Sequence, residues 1–168
     1  MLKNRALLFS LIYSALVIIY KLIIYYGGYS LTKFGFYFSH ITSVVAIIPF
    51  IFLTVYFARQ DNNGVIAGKV ALKTGLRMAI FSALLLSVYN YIEFEMIWRD
   101  LSIEYYNSQD FKDFLGKNPQ IKVEEYPTKI EEAIASISPF KAVTSRLFVL
   151  LFFSLGASFM SAVVLKKK

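Results

Sequence analysis

The sequence of 168 residues has no cysteine, one histidine, one tryptophan and four prolines. Without cysteine there is no disulfide, no thiolate metal site, no CxxC redox pair and no cysteine nucleophile. One histidine excludes a multi-histidine metal centre. Charge is also scarce: Asp, Glu, Lys and Arg make up 17% of the chain, against about 25% for an average soluble domain. No phosphate-binding glycine loop, HExxH sequence or nucleophile motif is present. Hydrophobic residues supply 57% of the chain and mean hydropathy is +0.56. The composition therefore excludes a disordered or collagen-like chain and argues against an ordinary soluble globule.

Four stretches are long enough to cross a hydrocarbon core of ~30 Å, which takes about 20 helical residues. They are residues 6–26, 36–57, 76–97 and 147–165. Backbone in lipid must satisfy its own hydrogen bonds, so each span is expected to be helical. Their length also exceeds the 4–8 residues of ordinary strands. Lys3 and Arg5 ahead of the first span imitate a secretory leader. However, its apolar stretch is too long for an h-region, and Tyr25-Tyr26-Gly27-Gly28 is no A-x-A cleavage site, so it reads as an uncleaved anchor. Lys166-Lys167-Lys168 reads as a positive flank rather than a dilysine signal, because Leu165 stands fourth from the end.

Lysine and arginine placement orients the spans. Lys3 and Arg5, then Arg59, Lys69, Lys73 and Arg77, then Lys166, Lys167 and Lys168 flank one side. The first connection holds Lys33 alone, and the long third connection, residues 98–146, offsets its bases with eight acids. Both termini are expected in the cytoplasm and residues 98–146 outside. The net charge of +7 then serves insertion, and no nucleic-acid partner is expected.

The connections are punctuated by turn residues. Residues 27–35 form a glycine-bearing turn that makes the first two spans antiparallel neighbours. Asp61-Asn62-Asn63-Gly64 carries an Asn-Gly turn signal. Val65–Gly75, with Lys69 and Lys73 one turn apart, is expected to lie along the interface as an amphipathic lead-in to the third span. Gly64 and Gly68 match GxxxG but read as turn glycines. In the outer segment, residues 101–115 are predicted to form one helix ending at Gly116. Thr128 and Glu131 have capping-box spacing ahead of Ile130, Ala133, Ile134 and Ile137, and Pro139 is expected to stop that second helix. Pro49 predicts a kink in the second span. Tyrosines and phenylalanines crowd the outer boundary, as interfacial anchors do.

Small residues recur at every fourth position: Ala6, Ser10 and Ser14; Ser39 and Ser43; Ala79, Ala83 and Ser87; Ser154, Ser158 and Ala162. Such stripes let helix backbones approach closely in lipid. The candidate site is an intramembrane polar cluster of Lys21, His40, Asn90 and Glu93. Lys21 precedes Tyr26 by five residues, His40 follows Phe36 by four, and Glu93 precedes Ile97 by four. At 1.5 Å per residue these positions are ~6–8 Å inside the outer boundary. Lone charges there are costly, so a Lys21–Glu93 pair, direct or through His40 or a water, is expected. The alternative is a proton- or ion-responsive site open to the outside. A zinc site of His40, Glu93 and Glu95 is disfavoured, because Glu93 and Glu95 face different sides of a helix.

The stretch Gly68-Lys69-Val70-Ala71-Leu72-Lys73-Thr74-Gly75-Leu76, the polar insert 98–146 and the lysine-rich end resemble a family of small four-span bacterial membrane proteins catalogued only as a domain of unknown function. The resemblance implies a Gram-negative inner-membrane location. It supplies no activity and no catalytic residues.

The sequence reading is an all-α integral membrane protein, with four transmembrane helices in an antiparallel bundle and short amphipathic helices in an external insert. A non-enzymatic structural or accessory role is expected, with no catalytic residues, cofactor or metal. The expected partners are the lipid bilayer and either a second copy of the chain or another membrane protein. The alternative reading is a small transporter or ion-responsive protein.

Overall fold

The computed structural model describes residues 2–29 and 33–166, with the side chains of residues 2–4, 33–37, 39 and 40 outside that description. Every regular element among the described residues is helical: α1 (Leu2–Tyr26), α2 (Lys33–Gln60), α3 (Gly68–Glu93), a π-helical turn (Phe94–Trp98), α4 (Arg99–Asn107), α5 (Gln109–Gly116), a 3₁₀ turn (Val123–Glu125), α6 (Tyr126–Ala135) and α7 (Pro139–Leu165). Four helical stretches are long and apolar enough to cross a membrane, within Arg5–Tyr26, Ile41–Gln60, Gly68–Asn107 and Pro139–Leu165. The chain divides into two compact units, residues 1–88 with 146–168, and residues 89–145.

In the first unit, each long helix buries one stripe and exposes large apolar side chains elsewhere. On α3 the buried stripe is Ala71, Thr74, Met78, Ala79, Ser82, Ala83 and Leu86; on α7 it is Leu150, Ser154, Ala157, Ser158, Ser161 and Ala162. Both follow the i, i+3, i+4 spacing of a single helical face. Outward-facing Leu84, Val88, Phe148 and Phe152 are more than half exposed, as side chains solvated by lipid would be. On α2 the buried residues among those described are Ile47, Ile51, Thr54, Val55 and Ala58. Ser43 is half-buried and Ser39 is outside the described side chains. The bulky face of α2 complements small faces around it: a methyl built on Gly75 would lie 3.1 Å from Ile51 Cγ2.

Contacts between α1 and α2 step forward on one helix as they step back on the other. Arg5 meets Asp61, the Phe9 and Phe57 rings stack at 5.5 Å, and Tyr13 lies against Phe50. The Tyr13 hydroxyl donates to the Ser43 carbonyl. Between α3 and α7 the register is likewise opposed, Gly68 lying near Ala162 and Lys166, and Gly75 against Ser158.

Several sequence expectations on local structure change. The lead-in at 65–75 is not a separate interfacial helix: α3 starts at Gly68 and runs on unbroken. Its lysines are exposed, but Ala71, Thr74 and Gly75 are buried, because the small residues between the lysines already belong to the packed face. The helix expected over 101–115 is two helices broken at Ser108. That residue is extended (φ −74°, ψ 160°), and its hydroxyl accepts from the Phe111 N–H. Thr128 caps nothing, since α6 already begins at Tyr126 with Pro127 in its first turn, where proline's missing N–H costs no helical bond. The Glu125 carboxylate instead accepts from the Lys122 N–H at 3.4 Å. α6 ends at Ala135, ahead of Pro139 as expected, and Pro139 itself opens α7, eight residues before the expected span. Residue Pro49 sits inside an uninterrupted α2.

Candidate functional site

Hydroxyls dominate the buried polar groups of the first unit, and most are satisfied by their own helix. Thr54 donates to the Phe50 carbonyl at 2.7 Å, Thr74 to Val70 at 2.8 Å, Ser82 to Met78 at 2.9 Å and Ser154 to Leu150 at 2.6 Å, each four residues back. Ser10 and Ser161 bond three residues back, to Leu7 and Ser158. A hydroxyl closed on its own backbone behaves as a small, nearly apolar side chain. Ser14 and Ser158 are buried with no hydrogen-bond partner for their hydroxyls among the described residues. Ser158 packs so closely on α3 that a Cβ on Gly75 would come within 2.8 Å of its Oγ.

Among the sequence-predicted cluster, Lys21 lies on α1 in the first unit and is 5% exposed. His40 is in α2, its side chain outside the described residues. Asn90 and Glu93 lie three residues apart on the last turn of α3, in the second unit. Glu93 is 7% exposed. Lys21, Asn90 and Glu93 are each engaged by a partner. Glu93 also marks where the α-helix passes into the π-helical turn, closed by the Arg99 N–H on the Phe94 carbonyl. Turns of this kind are costly and cluster at functional positions. Glu95 is held by Arg99 at 3.0 Å, which occupies the carboxylate that the disfavoured zinc reading would need. Among the described residues no three His, Cys, Asp or Glu side chains are grouped to hold a metal ion.

The second unit is organised on aromatic rings. Phe111 and Leu115 are buried, and Phe111 makes edge contacts with Tyr106 at 4.9 Å and Tyr105 at 5.7 Å. Both tyrosines pack on α5 through these ring contacts. The Tyr126 hydroxyl fills the space over Gly116, 2.9 Å from where a Cβ would stand. On α6, Lys129 binds Glu132 at 2.8 Å, and the carboxylate raises the Lys129 pKa, by hydrogen bonding first and charge second.

Charge divides sharply between the units. The second holds ten of the eleven acids and six bases, a formal −4, whereas the first holds twelve bases and one acid, +11. That single acid, Asp61, is gripped bidentately by Arg5, at 2.8 and 3.0 Å. The Arg5 guanidinium also lies 5.7 Å from the Phe57 ring centre. Its hydrogen bonds, more than its charge, hold the Asp61 carboxyl below the usual carboxylate range, against a smaller upward push from burial. Next to it, Arg59 Nε donates to the Gly64 carbonyl at 2.7 Å, closing a turn in which Asn63 and Gly64 have positive φ (54° and 79°). Sequence reading missed this clasp; the clue was that Asp61 is the one acid outside residues 89–145.

No curated protein and no solved structure matches the chain. The family described as "Protein of unknown function (DUF4199)" matches residues 6–167, nearly the full length from the first hydrophobic helix to the terminal lysines, and the chain belongs to that family.

Proposed function

We propose that this protein is a multi-pass protein of the bacterial inner membrane with a non-enzymatic, structural or accessory role. In this reading its four long helices form an antiparallel bundle, both termini are cytoplasmic and residues 98–146 are periplasmic. It associates with a second copy or with another membrane protein. The observation carrying the reading is the polarity of the helices: small residues and self-bonded hydroxyls inside, large apolar side chains outside. That arrangement supports close helix packing in lipid. The asymmetry of lysine and arginine supports the orientation.

A reporter fused after Lys168 should read cytoplasmic, and one near Lys117 periplasmic. A periplasmic reading at the C-terminus overturns the orientation. Purification in mild detergent after cross-linking should retain a second copy or one defined membrane protein; a monomer alone would count against the accessory role.

A second reading is favoured by Lys21 and Glu93, ionisable groups that are each more than nine-tenths buried. Ionisable groups at membrane depth are uncommon and tend to serve ion or proton movement. Proton uptake by reconstituted vesicles, abolished in Glu93→Gln, would support it.

A further inference from the structure

We infer that the α2–α3 turn, the first two turns of α3 and the end of α7 form a docking surface for anionic phospholipid headgroups, with Lys69, Lys73 and Lys166 as the contacting cations. The inference rests on the membrane-spanning reading above and names the lipid chemistry at one end of the bundle.

Four observations converge. First, the opposed registers bring the N-terminus of α3 and the C-terminus of α7 together, with the Lys166 stem 3.9 Å from where a Cβ on Gly68 would stand. Lys69, Lys73 and Lys166 thus belong to one end of the first unit, and all three are exposed. Second, the one acid of the first unit, Asp61, is already taken by Arg5 through two hydrogen bonds. None of the three lysines forms an ion pair among the described residues. Third, the lysines are interleaved with exposed aliphatic residues: Val65 is 45% and Val70 36% exposed. The headgroup–acyl boundary solvates both, the valines in the acyl region and the ammonium groups at the phosphates. Fourth, the acids of the chain are otherwise confined to the second unit, which leaves the first unit strongly basic. A basic partner is excluded by charge. An anionic lipid surface fits both the charge and the apolar content.

Lysine near an anionic membrane surface strengthens association by about fivefold per residue. The test uses the full chain in neutral detergent micelles, titrated with phosphatidylglycerol, phosphatidylcholine or inorganic phosphate, and reads the thermal unfolding midpoint. Phosphatidylglycerol should raise the midpoint and phosphatidylcholine should not. In Lys69→Gln/Lys73→Gln/Lys166→Gln the phosphatidylglycerol concentration for half the effect should rise by about fivefold per lysine removed. Lys112→Gln/Lys117→Gln, on the acidic unit, should behave as the parent. High salt should weaken the response of the parent. An unchanged response in the triple variant, or equal responses to the two lipids, overturns the inference; so does reproduction of the effect by inorganic phosphate, which would identify a small-anion site instead. Release of the protein from membranes by alkaline carbonate would overturn the spanning reading separately.

Discussion

Replacing Gly75 with alanine tests whether close helix approach holds the first unit together. The new methyl would stand 2.8 Å from Ser158 Oγ, 3.0 Å from Ser158 Cβ and 3.1 Å from Ile51 Cγ2. Rotation can swing Ser158 Oγ aside, but Ser158 Cβ is the root of its side chain and Ile51 Cγ2 is one bond from its own, so the helices must shift for the methyl to fit. Overpacking of this kind costs about 1–3 kcal/mol. Alanine also recovers up to about 1 kcal/mol of helix propensity over glycine. The net expectation is a loss of about 0–2 kcal/mol, which places Gly75→Ala about 1–3 kcal/mol below a glycine-to-alanine change that meets no clash, and Gly75→Leu should lose more. Gly156, on the same α7, provides the control, because a Cβ there meets nothing within 4 Å; Gly156→Ala should be neutral or stabilising. Trimming the opposing residue should relieve the clash, so Gly75→Ala combined with Ser158→Gly should cost less than the sum of the two single changes. Reversible unfolding in mixed micelles of increasing denaturing-detergent fraction measures all five variants, Ser158→Gly alone included. If Gly75→Ala behaves like Gly156→Ala, the helices do not meet at Gly75 and the packing argument fails.

Asp61 should make stability depend on acid. Its carboxyl is depressed below the ordinary 3.8 by Arg5, so the stabilisation is present above pH about 3.8 and disappears as pH falls through the folded value. The stability difference between the parent and Asp61→Asn should therefore be constant from neutral pH down to about 4 and shrink below it; a difference that grows on acidification would refute the pairing. Phe111→Ala removes the ring on which Tyr105 and Tyr106 rest and should cost about 3–5 kcal/mol locally, seen as faster amide exchange across α4 and α5; unchanged exchange would mean that the ring cluster holds nothing. Ser108→Ala deletes the cap that starts α5 and should cost about 1 kcal/mol, with fraying confined to residues 108–116 by the same measurement.

The number and approximate position of the long helices were legible because a run of apolar residues longer than any strand has only one way to satisfy its backbone in lipid. The buried faces of α1, α3 and α7 were legible too, through small residues at every fourth position. On α2 the same rule does not lead to the buried face that the described residues show. Its buried face is built of Ile47, Ile51 and Val55, and in an all-apolar helix large inward residues look like large outward ones. Only the glycine across from Ile51 distinguishes them, and that pairing is a property of two helices at once. Boundaries in residues 98–146 were lost to local chemistry. Ser108 starts a new helix, although the apolar pattern runs through it, and Pro139 begins α7 where proline usually suggests an ending. Within the polar cluster, depth counting along the spans singled out Lys21, His40 and Glu93; Lys21 and Glu93 are buried, and the His40 side chain lies outside the described residues.

Buried serines and threonines are often taken as the polar lining of a path or site. In this protein the local bonding argues otherwise. Thr54, Thr74, Ser82 and Ser154 each return their proton to the carbonyl four residues earlier, leaving no donor to offer a ligand. In lipid a serine closed in this way is selected for its size, since its alternatives are alanine and glycine. The self-bonded hydroxyls are therefore a packing device; Ser158, whose hydroxyl is not closed in this way, belongs to the stripe by its small size against Gly75. Chemistry at membrane depth is then left to groups that cannot be silenced by their own backbone. Lys21 and Glu93 are such groups, buried at 5% and 7% exposure, and Glu93 stands at the one place where the long third helix changes its winding. An accessory protein needs only the stripe, whereas an ion-responsive one also needs these two side chains to change protonation. Glu93→Gln separates the cases: it leaves the stripe intact, so an accessory role should survive it.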